Sequence, residues 1–211
     1  QSLCYGLLTL QKKNALVATV HHPITRDRDI ALAAASGKGH RWLIKRWYSF
    51  LTMQQKVVNK LQHVITVSQT SRDDIAQEFG RPAEKIQVIA NGVDTDIFRP
   101  RTDIARKPFQ LITTASSDQP LKGLSVLLQA LHQLKNDYPQ ITLTVIGKLN
   151  PSGNTEKELQ SLQLAEKVNF VSELSREEIV ALYAEATMAI VPSRYEGFGL
   201  PALEAMACGT P

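Results

Sequence analysis

Short apolar segments rich in β-branched residues alternate with amphipathic segments along almost the whole chain. This alternation predicts β-strands separated by helices. Most of the strand segments are too apolar to leave one face of a sheet in water, which is typical of parallel sheets covered by helices on both faces. We therefore predict an α/β fold. The predicted strands are Ala15–Val20, His63–Val67, Ile86–Ile89, Gln110–Thr113, Thr142–Ile146, Val168–Val171 and Met188–Val191. The predicted helices are Arg41–Gln62, Ser71–Phe79 with Ser71 as N-cap, Leu124–Tyr138, Glu156–Leu162, Arg176–Ala184 and Leu200–Ala207.

One short segment interrupts this alternation with a change in composition. Residues 98–108 contain two prolines and four basic residues, which is typical of a linker. We predict a first domain over residues 1–98, a linker over 99–108 and a second domain over 109–211. The chain begins with glutamine and stops just after a predicted helix, so we expect both domains to be incomplete.

The composition excludes several classes of protein. With 211 residues, 43% hydrophobic and 21% charged, the chain has the composition of a folded globular protein. Cys4 and Cys208 lie at opposite ends and supply neither a disulfide framework nor a cysteine metal cluster. No apolar run reaches the ~20 residues of a membrane span, and no signal-peptide pattern opens the sequence. We expect a cytoplasmic protein.

The segment after the last predicted strand carries the strongest chemical signal, because ligands of open parallel sheets bind at the carboxyl ends of strands. Here Ser193–Gly199 is a polar turn with two glycines, and a helix follows it. Glycines allow close backbone approach, and helix N-terminal amides suit a phosphate. Glu196 and Glu204 flank this anion site, where we expect them to accept hydrogen bonds from neutral hydroxyls of a sugar and a ribose. Alternatively, Glu196 is a turn residue and Glu204 a solvated helix position.

This segment, with its continuation Ala-Met-Ala-Cys-Gly-Thr-Pro, resembles the retaining glycosyltransferases of family four, also called glycosyl transferases group 1. The resemblance covers nearly the whole chain and implies the GT-B fold, which has two Rossmann-like domains with parallel sheets. It also implies that Glu196 contacts hydroxyls of the donor sugar and that Glu204 contacts the ribose of the nucleotide. The backbone of the loop between them would hold the diphosphate or the sugar. The donor-binding residues implied for this loop are Gly197, Phe198, Gly199 and Leu200.

A second match to the family is Asp118-Gln-Pro-Leu-Lys-Gly123, which precedes a predicted helix. A lysine at the mouth of a strand-loop-helix unit can neutralise a phosphate, and the resemblance implies this role for Lys122 against the donor diphosphate. A solvated lysine is the alternative. Many relatives carry an arginine where this chain has Ser116. A hydroxyl cannot replace a guanidinium, so we expect another cation or another region of the protein to assist at the predicted donor site around Ser116.

The third match is Val17-Ala-Thr-Val-His-His-Pro23, a strand that delivers histidines to its carboxyl end. The resemblance implies a histidine near the donor sugar and the reacting centre. The register favours His21 and leaves His22 as the alternative. Neither has a serine or cysteine at triad-like spacing, so hydrolase chemistry is unsupported. Glu196 and His21 are thus the predicted catalytic residues.

The segment Asn91-Gly-Val-Asp94 matches the end of the family's first domain. Gly92 is expected to supply a turn with positive φ. Asp94 and Asp96 resemble the metal-binding Asp-x-Asp of another glycosyltransferase fold, but GT-B enzymes generally bind the donor without a metal. We predict no metal site and no other cofactor.

The basic residues are concentrated in one part of the chain. The net charge is only +4, yet no Asp or Glu occurs between Ile30 and Arg72. Residues 38–60 are basic and aromatic with a helical pattern, which suits an anionic membrane surface or an acidic acceptor. Nucleic acid is not an expected partner, because no recognised nucleic-acid-binding module accompanies the segment. The apolar residues of this region are expected to form one buried stripe of Leu43, Trp47, Phe50, Val57 and Leu61.

Together these features predict a retaining glycosyltransferase. It would transfer a sugar from a nucleotide diphosphate sugar to a hydroxyl acceptor in a glycan, a lipid or a small molecule. The isolated 211 residues are expected to be inactive, because both domains are incomplete. The alternative is a non-catalytic nucleotide-sugar-binding protein of the same fold, a reading that Ser116 favours.

Overall fold

The computed structural model describes residues 3–211. By their internal packing they form two compact units. The first unit comprises the described residues up to Asn91 together with Glu196–Phe198, and the second comprises Gly92–Tyr195 and Gly199–Pro211. Each unit has a parallel sheet and its own hydrophobic core, as predicted for an α/β chain.

The first unit contains a parallel sheet in the order β1-β2-β3. Its register pairs Ala18 with Val64 and Ile65 with Gln87. A 3-10 turn at Tyr48–Phe50 separates its third and fourth helices. The strands are β1 Val17–Thr19, β2 His63–Thr66 and β3 Ile86–Val88, and the helices are α1 Gly6–Leu10, α2 Thr25–Ala33, α3 Gly37–Trp47, α4 Leu51–Lys60 and α5 Gln69–Phe79.

The second unit contains a parallel sheet in the order β6-β5-β4-β7. Its core has two parts, one around Leu128 and Val145 and the other around Ile112 and Tyr183. These separate clusters account for the continuous apolar character of its strands, because such strands are buried on both faces. The strands are β4 Gln110–Thr114, β5 Thr142–Ile146, β6 Val168–Val171 and β7 Met188–Ala189, and the helices are α6 Leu124–Leu134, α7 Asn154–Ser161, α8 Arg176–Glu185 and α9 Leu200–Ala207.

The end of the predicted first domain packs in the second unit. Phe98 is buried with Ile112 and Tyr183, and Val93 and Ile97 pack against the same cluster. The packing division therefore falls between residues 91 and 92, before the segment 99–108 that the composition marks as a linker.

Several local predictions for the first unit were wrong. The predicted helix Arg41–Gln62 is two helices, α3 and α4, separated by a 3-10 turn. Val57 and Leu61 are buried as predicted, but Leu43 and Trp47 are exposed, because the turn ends α3 before the part of the chain that enters the core. Helices α1 and α2 were not predicted, because α1 has only five residues and α2 carries no clear apolar stripe. No helix in the described chain is long and apolar enough to cross a membrane.

The prediction for Gly92 was also wrong, because its φ lies outside the left-handed region. The left-handed glycines of the second unit include Gly123 and Gly199 instead.

Arg81 closes the C-terminal end of α4 in the first unit. Its buried guanidinium donates hydrogen bonds to the carbonyl oxygens of Val58 and Leu61, the latter at 2.9 Å. It also donates to the carbonyl oxygen of Lys85 at 3.1 Å, next to β3. Helices end with carbonyl groups that lack an intrahelical partner, so this side chain satisfies acceptors that burial would otherwise leave unpaired.

Replacing Arg81 with alanine is expected to lower the free energy of unfolding by about 2–3 kcal/mol, because it leaves several buried carbonyls without a donor. Urea unfolding of the full-length protein measures this loss. Arg72→Ala is the matched control, since half-buried Arg72 pairs only locally with its neighbour Asp73, and we expect a loss of about 0.5 kcal/mol or less. Equal losses for the two variants would contradict this role of Arg81.

Candidate functional site

The loop after β7 leads into the N-terminus of helix α9. Gly199 directly precedes the helix with φ of +86°, a left-handed conformation that favours glycine. Pro201 follows in the first turn, where its fixed φ suits a helix start. This N-terminus has glycine as its N-cap residue, so no N-cap side chain accepts its free N–H groups. Its backbone N–H groups and the positive end of the helix dipole therefore suit an anion such as a phosphate.

The segment that carries Lys122 packs against the loop after β7. The N–H of Arg194 donates a hydrogen bond to the carbonyl oxygen of Leu121 at 2.9 Å. Gly123 has φ of +67°, and a Cβ atom there would overlap the carbonyl group of Pro192. Glycine is therefore required at position 123 for both reasons, and this close approach holds Lys122 beside the loop that leads to α9.

Ser116, in the loop after β4, and Arg194, in the loop after β7, are both exposed. Ser116 follows β4 at its carboxyl end, as predicted. Arg194 was not identified from the sequence, although it stands within the turn Ser193–Gly199. Its backbone contact with Leu121 places a second basic residue on the loop next to Lys122.

Asp118 joins the loops that follow β4 and β5. Its carboxylate accepts hydrogen bonds from the N–H of Thr155 at 2.7 Å and from the Thr155 hydroxyl at 3.0 Å. The side-chain amide of Asn150 donates to the same carboxylate at 3.0 Å. Thr155 lies in the first turn of α7, so Asp118 satisfies a helix N-terminal N–H from another loop.

The pKa and the backbone conformation of Asp118 depend on these hydrogen bonds. Burial alone would raise the pKa of Asp118, but hydrogen bonds from Thr155 and Asn150 outweigh it and lower the pKa below its ordinary value. Its φ of +60° is uncommon for a residue other than glycine, and the network maintains it. Ser117 adds a hydrogen bond from its hydroxyl to the carbonyl of Lys148 at 2.8 Å. The loop between Ser116 and Lys122 is thus fixed at its centre.

Glu204 lies on α9 and is half-buried rather than fully solvated. Desolvation raises the pKa of its carboxyl group, and Arg176 at the start of α8 partly opposes this shift. Tyr183 is buried, which together with the charge of Glu204 raises the pKa of its phenol to about 12. A carboxylate in such surroundings is stabilised by donors that hydrogen-bond to its charged form, as the hydroxyls of a sugar ring do.

In the first unit, the carbonyl oxygen of Gly197 is held by two serine hydroxyls. Ser68 donates at 2.7 Å and Ser71 donates at 3.0 Å. Ser68 is also the N-cap of α5, because its side-chain oxygen accepts the N–H of Ser71 at 3.0 Å. The predicted cap was Ser71, which is wrong: Ser71 is fully buried inside the first turn. The two serines fix the peptide next to Glu196.

Gly197 lies against the residues that follow β1. A Cβ atom at this position would come within 3.1 Å of both the carbonyl oxygen of His21 and Nδ1 of His22. The Nε2 atom of His22 lies 3.6 Å from a carboxylate oxygen of Asp27, and His22 is half-buried. His21 is exposed. The two histidines therefore differ: His22 is half-buried with its ring near Asp27, and the His21 side chain is exposed.

The described residues contain no group of three or more His, Cys, Asp or Glu side chains that could hold a metal ion. Asp94 and Asp96 form a local turn, in which a carboxylate oxygen of Asp94 accepts the N–H of Asp96 at 3.2 Å. The other carboxylate oxygen of Asp94 lies 4.0 Å from the guanidinium of Arg176.

Two known family models match the chain. The model of the family described as Glycosyl transferases group 1 matches residues 94–211, and that of Glycosyltransferase Family 4 matches residues 1–97. The chain therefore belongs to the group 1 glycosyl transferases, which confirms the predicted family.

Curated relatives agree with this assignment. The chain is 45% identical to an MMP alpha-(1->4)-mannosyltransferase of Mycolicibacterium hassiacum, over 100% of this chain and 51% of that protein. It is 31% identical to the O-antigen chain mannosyltransferase RfbU of Salmonella typhimurium, over 93% of this chain and 54% of that protein. The chain thus spans about half the length of the curated relatives it matches.

Solved structures with the GT-B fold confirm the predicted fold. A sucrose-phosphate synthase from Thermosynechococcus elongatus matches with a TM-score of 0.72 and 24% identity, over 96% of this chain and 51% of that one. Anabaena Alr3699/HepE, solved in complex with UDP and glucose, matches with a TM-score of 0.70 and 21% identity, over 96% of this chain and 53% of that one.

Replacing Asp118 with alanine is expected to lower the free energy of unfolding by about 2 kcal/mol, because it removes the acceptor for an N-terminal N–H of α7 and for Asn150. Amide hydrogen exchange over residues 116–123 of the full-length protein should accelerate at the same time. Asp137→Ala, at an exposed position after α6, is the control and should change neither quantity. Unchanged exchange in the Asp118 variant would show that Asp118 does not hold this loop.

Proposed function

We propose that the full-length protein is a retaining glycosyltransferase of the hexosyltransferase type. It would transfer a sugar from a nucleotide diphosphate sugar to a hydroxyl acceptor in a glycan, a lipid or a small molecule. The observation that carries this proposal is the N-terminus of α9, which is entered through left-handed Gly199 and follows the loop that packs against the segment carrying Lys122. The names of the mannosyltransferase relatives support a hexosyl donor. The 211 residues alone would lack activity.

The donor diphosphate would be held by positive groups that are already in place before it binds. We assign this role to the Lys122 ammonium and to the backbone N–H groups at the start of α9, in the segment Gly197–Leu200. Ser116 would donate a hydroxyl hydrogen bond. Arg194, on the loop paired with Leu121, is our candidate for the cation that Ser116 does not supply. This arrangement would bind the donor without a metal ion or other cofactor.

The two glutamates would orient the donor by accepting hydrogen bonds from its neutral hydroxyls. Glu196 is assigned to the sugar, and its position depends on the serine hydroxyls that hold the next peptide. Glu204 is assigned to the ribose, and its half-buried carboxylate with raised pKa gains from such donors. These contacts would hold the anomeric carbon in position for reaction. Holding reacting groups in the correct geometry contributes substantially to the rate of an enzymatic reaction.

We assign to His21 the role of orienting the sugar near the reacting centre. Its side chain is exposed at the carboxyl end of β1, where it can meet a ligand. His22 is less suited, because its side chain is half-buried, with its ring 3.6 Å from Asp27.

Retention would follow from attack on the face from which the diphosphate departs. The bond between the anomeric carbon and the diphosphate oxygen breaks, and its electron pair stays on the diphosphate. The acceptor oxygen forms the new bond to the anomeric carbon, and its proton passes to the departing diphosphate oxygen. Lys122 and the α9 amides stabilise the negative charge that develops on the leaving group.

A cytoplasmic location is part of this proposal. Both described cysteines are free, Cys4 exposed and Cys208 buried. Unpaired thiols fit a reducing compartment.

The second candidate is a protein that binds nucleotide sugars without turnover. Ser116, in place of the arginine that many relatives carry, favours it, because the leaving group would have one cation fewer. Binding and turnover measured on the same preparation separate the two candidates.

The decisive experiment measures nucleoside diphosphate release by the full-length protein from a panel of nucleotide diphosphate sugars. Lys122→Met, Glu196→Gln and His21→Ala are each expected to lower kcat/KM by about 100-fold or more, since each removes a group that acts on the donor. Lys157→Met, at an exposed position on α7, and His22→Ala are the controls and should lose less than about 10-fold.

Unchanged kcat/KM in the Lys122 and Glu196 variants would contradict the site. Tight donor binding without release, with or without acceptor candidates, would favour the non-catalytic candidate. Absence of any nucleotide-sugar binding would contradict both.

A further inference from the structure

Asp118 is the only acidic residue in the loop Ser116–Gly123, which carries Lys122. A carboxylate close to a bound diphosphate would oppose it by like-charge repulsion. The carboxylate of Asp118 instead accepts the N–H and the hydroxyl of Thr155 and the side-chain amide of Asn150, at 2.7 to 3.0 Å. Its negative charge therefore complements the N-terminal end of α7.

The contacts between this loop and the start of α7 run in both directions. The backbone N–H of Asp118 donates to the hydroxyl oxygen of Thr155 at 2.9 Å, while the Asp118 carboxylate accepts from the same residue. The hydroxyl of neighbouring Ser117 accepts the N–H of Asn150 at 3.1 Å. Ser117 and Thr155 are both buried. Two consecutive residues are thus bonded, inside the second unit, to the loop after β5 and to the helix that follows it.

Gly153 leaves the space that the Asp118 carboxylate occupies. A Cβ atom at position 153 would overlap a carboxylate oxygen of Asp118. The φ angle of Gly153 is −70°, which other residues adopt without strain. Alanine would therefore fit the backbone at this position and would displace the carboxylate.

A short 3-10 turn joins Asp118 to Lys122. The turn spans Pro120–Lys122, and the N–H of Lys122 donates to the carbonyl oxygen of Gln119 at 3.1 Å. On the other side of the lysine, Gly123 packs closely against the loop after β7. The backbone of Lys122 thus lies between two fixed points, Asp118 four residues before it and Gly123 directly after it.

We propose that Asp118 is a positioning residue for the donor diphosphate and that it acts through Lys122. A lysine side chain is flexible, and fixing its backbone in advance reduces the entropy that is lost when it binds a phosphate. The Asp118 carboxylate would thereby strengthen the binding of an anion that it does not contact. This inference rests on the proposed function, because it requires that Lys122 bind the diphosphate.

A purely structural role for Asp118 predicts a different effect on ligands. A general loss of structure would weaken the binding of every part of the donor nucleotide. A loss of positioning would weaken only the part that Lys122 binds. The nucleoside lacks the diphosphate and therefore serves as the reference ligand.

The test is isothermal titration of the full-length protein with UDP, GDP and ADP, and with the nucleoside of the diphosphate that binds best. Asp118→Ala and Gly153→Ala should each weaken diphosphate binding by about 10-fold, as expected when one hydrogen bond to a charged group is weakened. Nucleoside binding should change by less than about 2-fold. Asp118→Asn should stay within about 3-fold of the wild type, because its amide oxygen can still accept the Thr155 N–H.

A double variant tests whether Asp118 acts through Lys122. In a Lys122→Met background, Asp118→Ala should weaken diphosphate binding by a further ~2-fold or less, because the effects of residues that act as a unit are not additive. The matched control is Glu158→Ala, which removes another carboxylate of α7, one that accepts hydrogen bonds from Ser125 and Gln129 of α6. This control should change diphosphate binding by less than about 2-fold.

Weaker diphosphate binding in Lys122→Met but not in Asp118→Ala would overturn the inference and leave the proposed function in place. Equal weakening of diphosphate and nucleoside binding by Asp118→Ala would also overturn it, as would the full effect of Asp118→Ala in the Lys122→Met background. If Asp118→Ala does not fold, Gly153→Ala provides the same comparisons. Unchanged diphosphate binding in Lys122→Met would contradict the donor site itself and this inference with it.

Discussion

Parallel strand pairing is the constraint on which the arrangement of each unit depends. In the second unit the register from Gln110 with Thr142 to Thr114 with Ile146 brings the ends of β4 and β5 to the same edge of the sheet. Parallel neighbours cannot be joined by a tight turn, so a helix must return the chain between them. The segments that leave this edge are then free of regular pairing, and they carry Ser116, Lys122 and the loop before α9.

Within each unit, the loops that carry the candidate donor-binding residues are held mainly through the backbone. Gly123 and Gly199 adopt left-handed conformations, and a Cβ atom at Gly197 would lie only 3.1 Å from Nδ1 of His22. Asp118 and the two serines Ser68 and Ser71 then lock peptides in place by hydrogen bonds. Groups fixed in this way need little reorganisation when a charged ligand binds, which is what makes preorganised dipoles effective.

The strands and the helices of the second unit could be predicted from the sequence because their signals are local. β-branched runs and helical apolar periods are visible within a few residues. Periodicity cannot tell a buried apolar face from an exposed one, and for that reason Leu43 and Trp47 were assigned to the core. The contacts of Asp118 with Thr155 and of Ser71 with Gly197 join distant parts of the chain, so no local pattern revealed them. Glu196, Glu204 and Lys122 were found by resemblance to the family, and their roles stay predictions.

The central claim is that the start of α9 and Lys122 bind a diphosphate. Isothermal titration of the full-length protein with nucleoside diphosphates and the matching nucleosides tests it most directly. We expect the diphosphate of the preferred base to bind at least ~100-fold more tightly than its nucleoside, because several charge-assisted hydrogen bonds are added. Equal affinities for the diphosphate and the nucleoside would contradict the account.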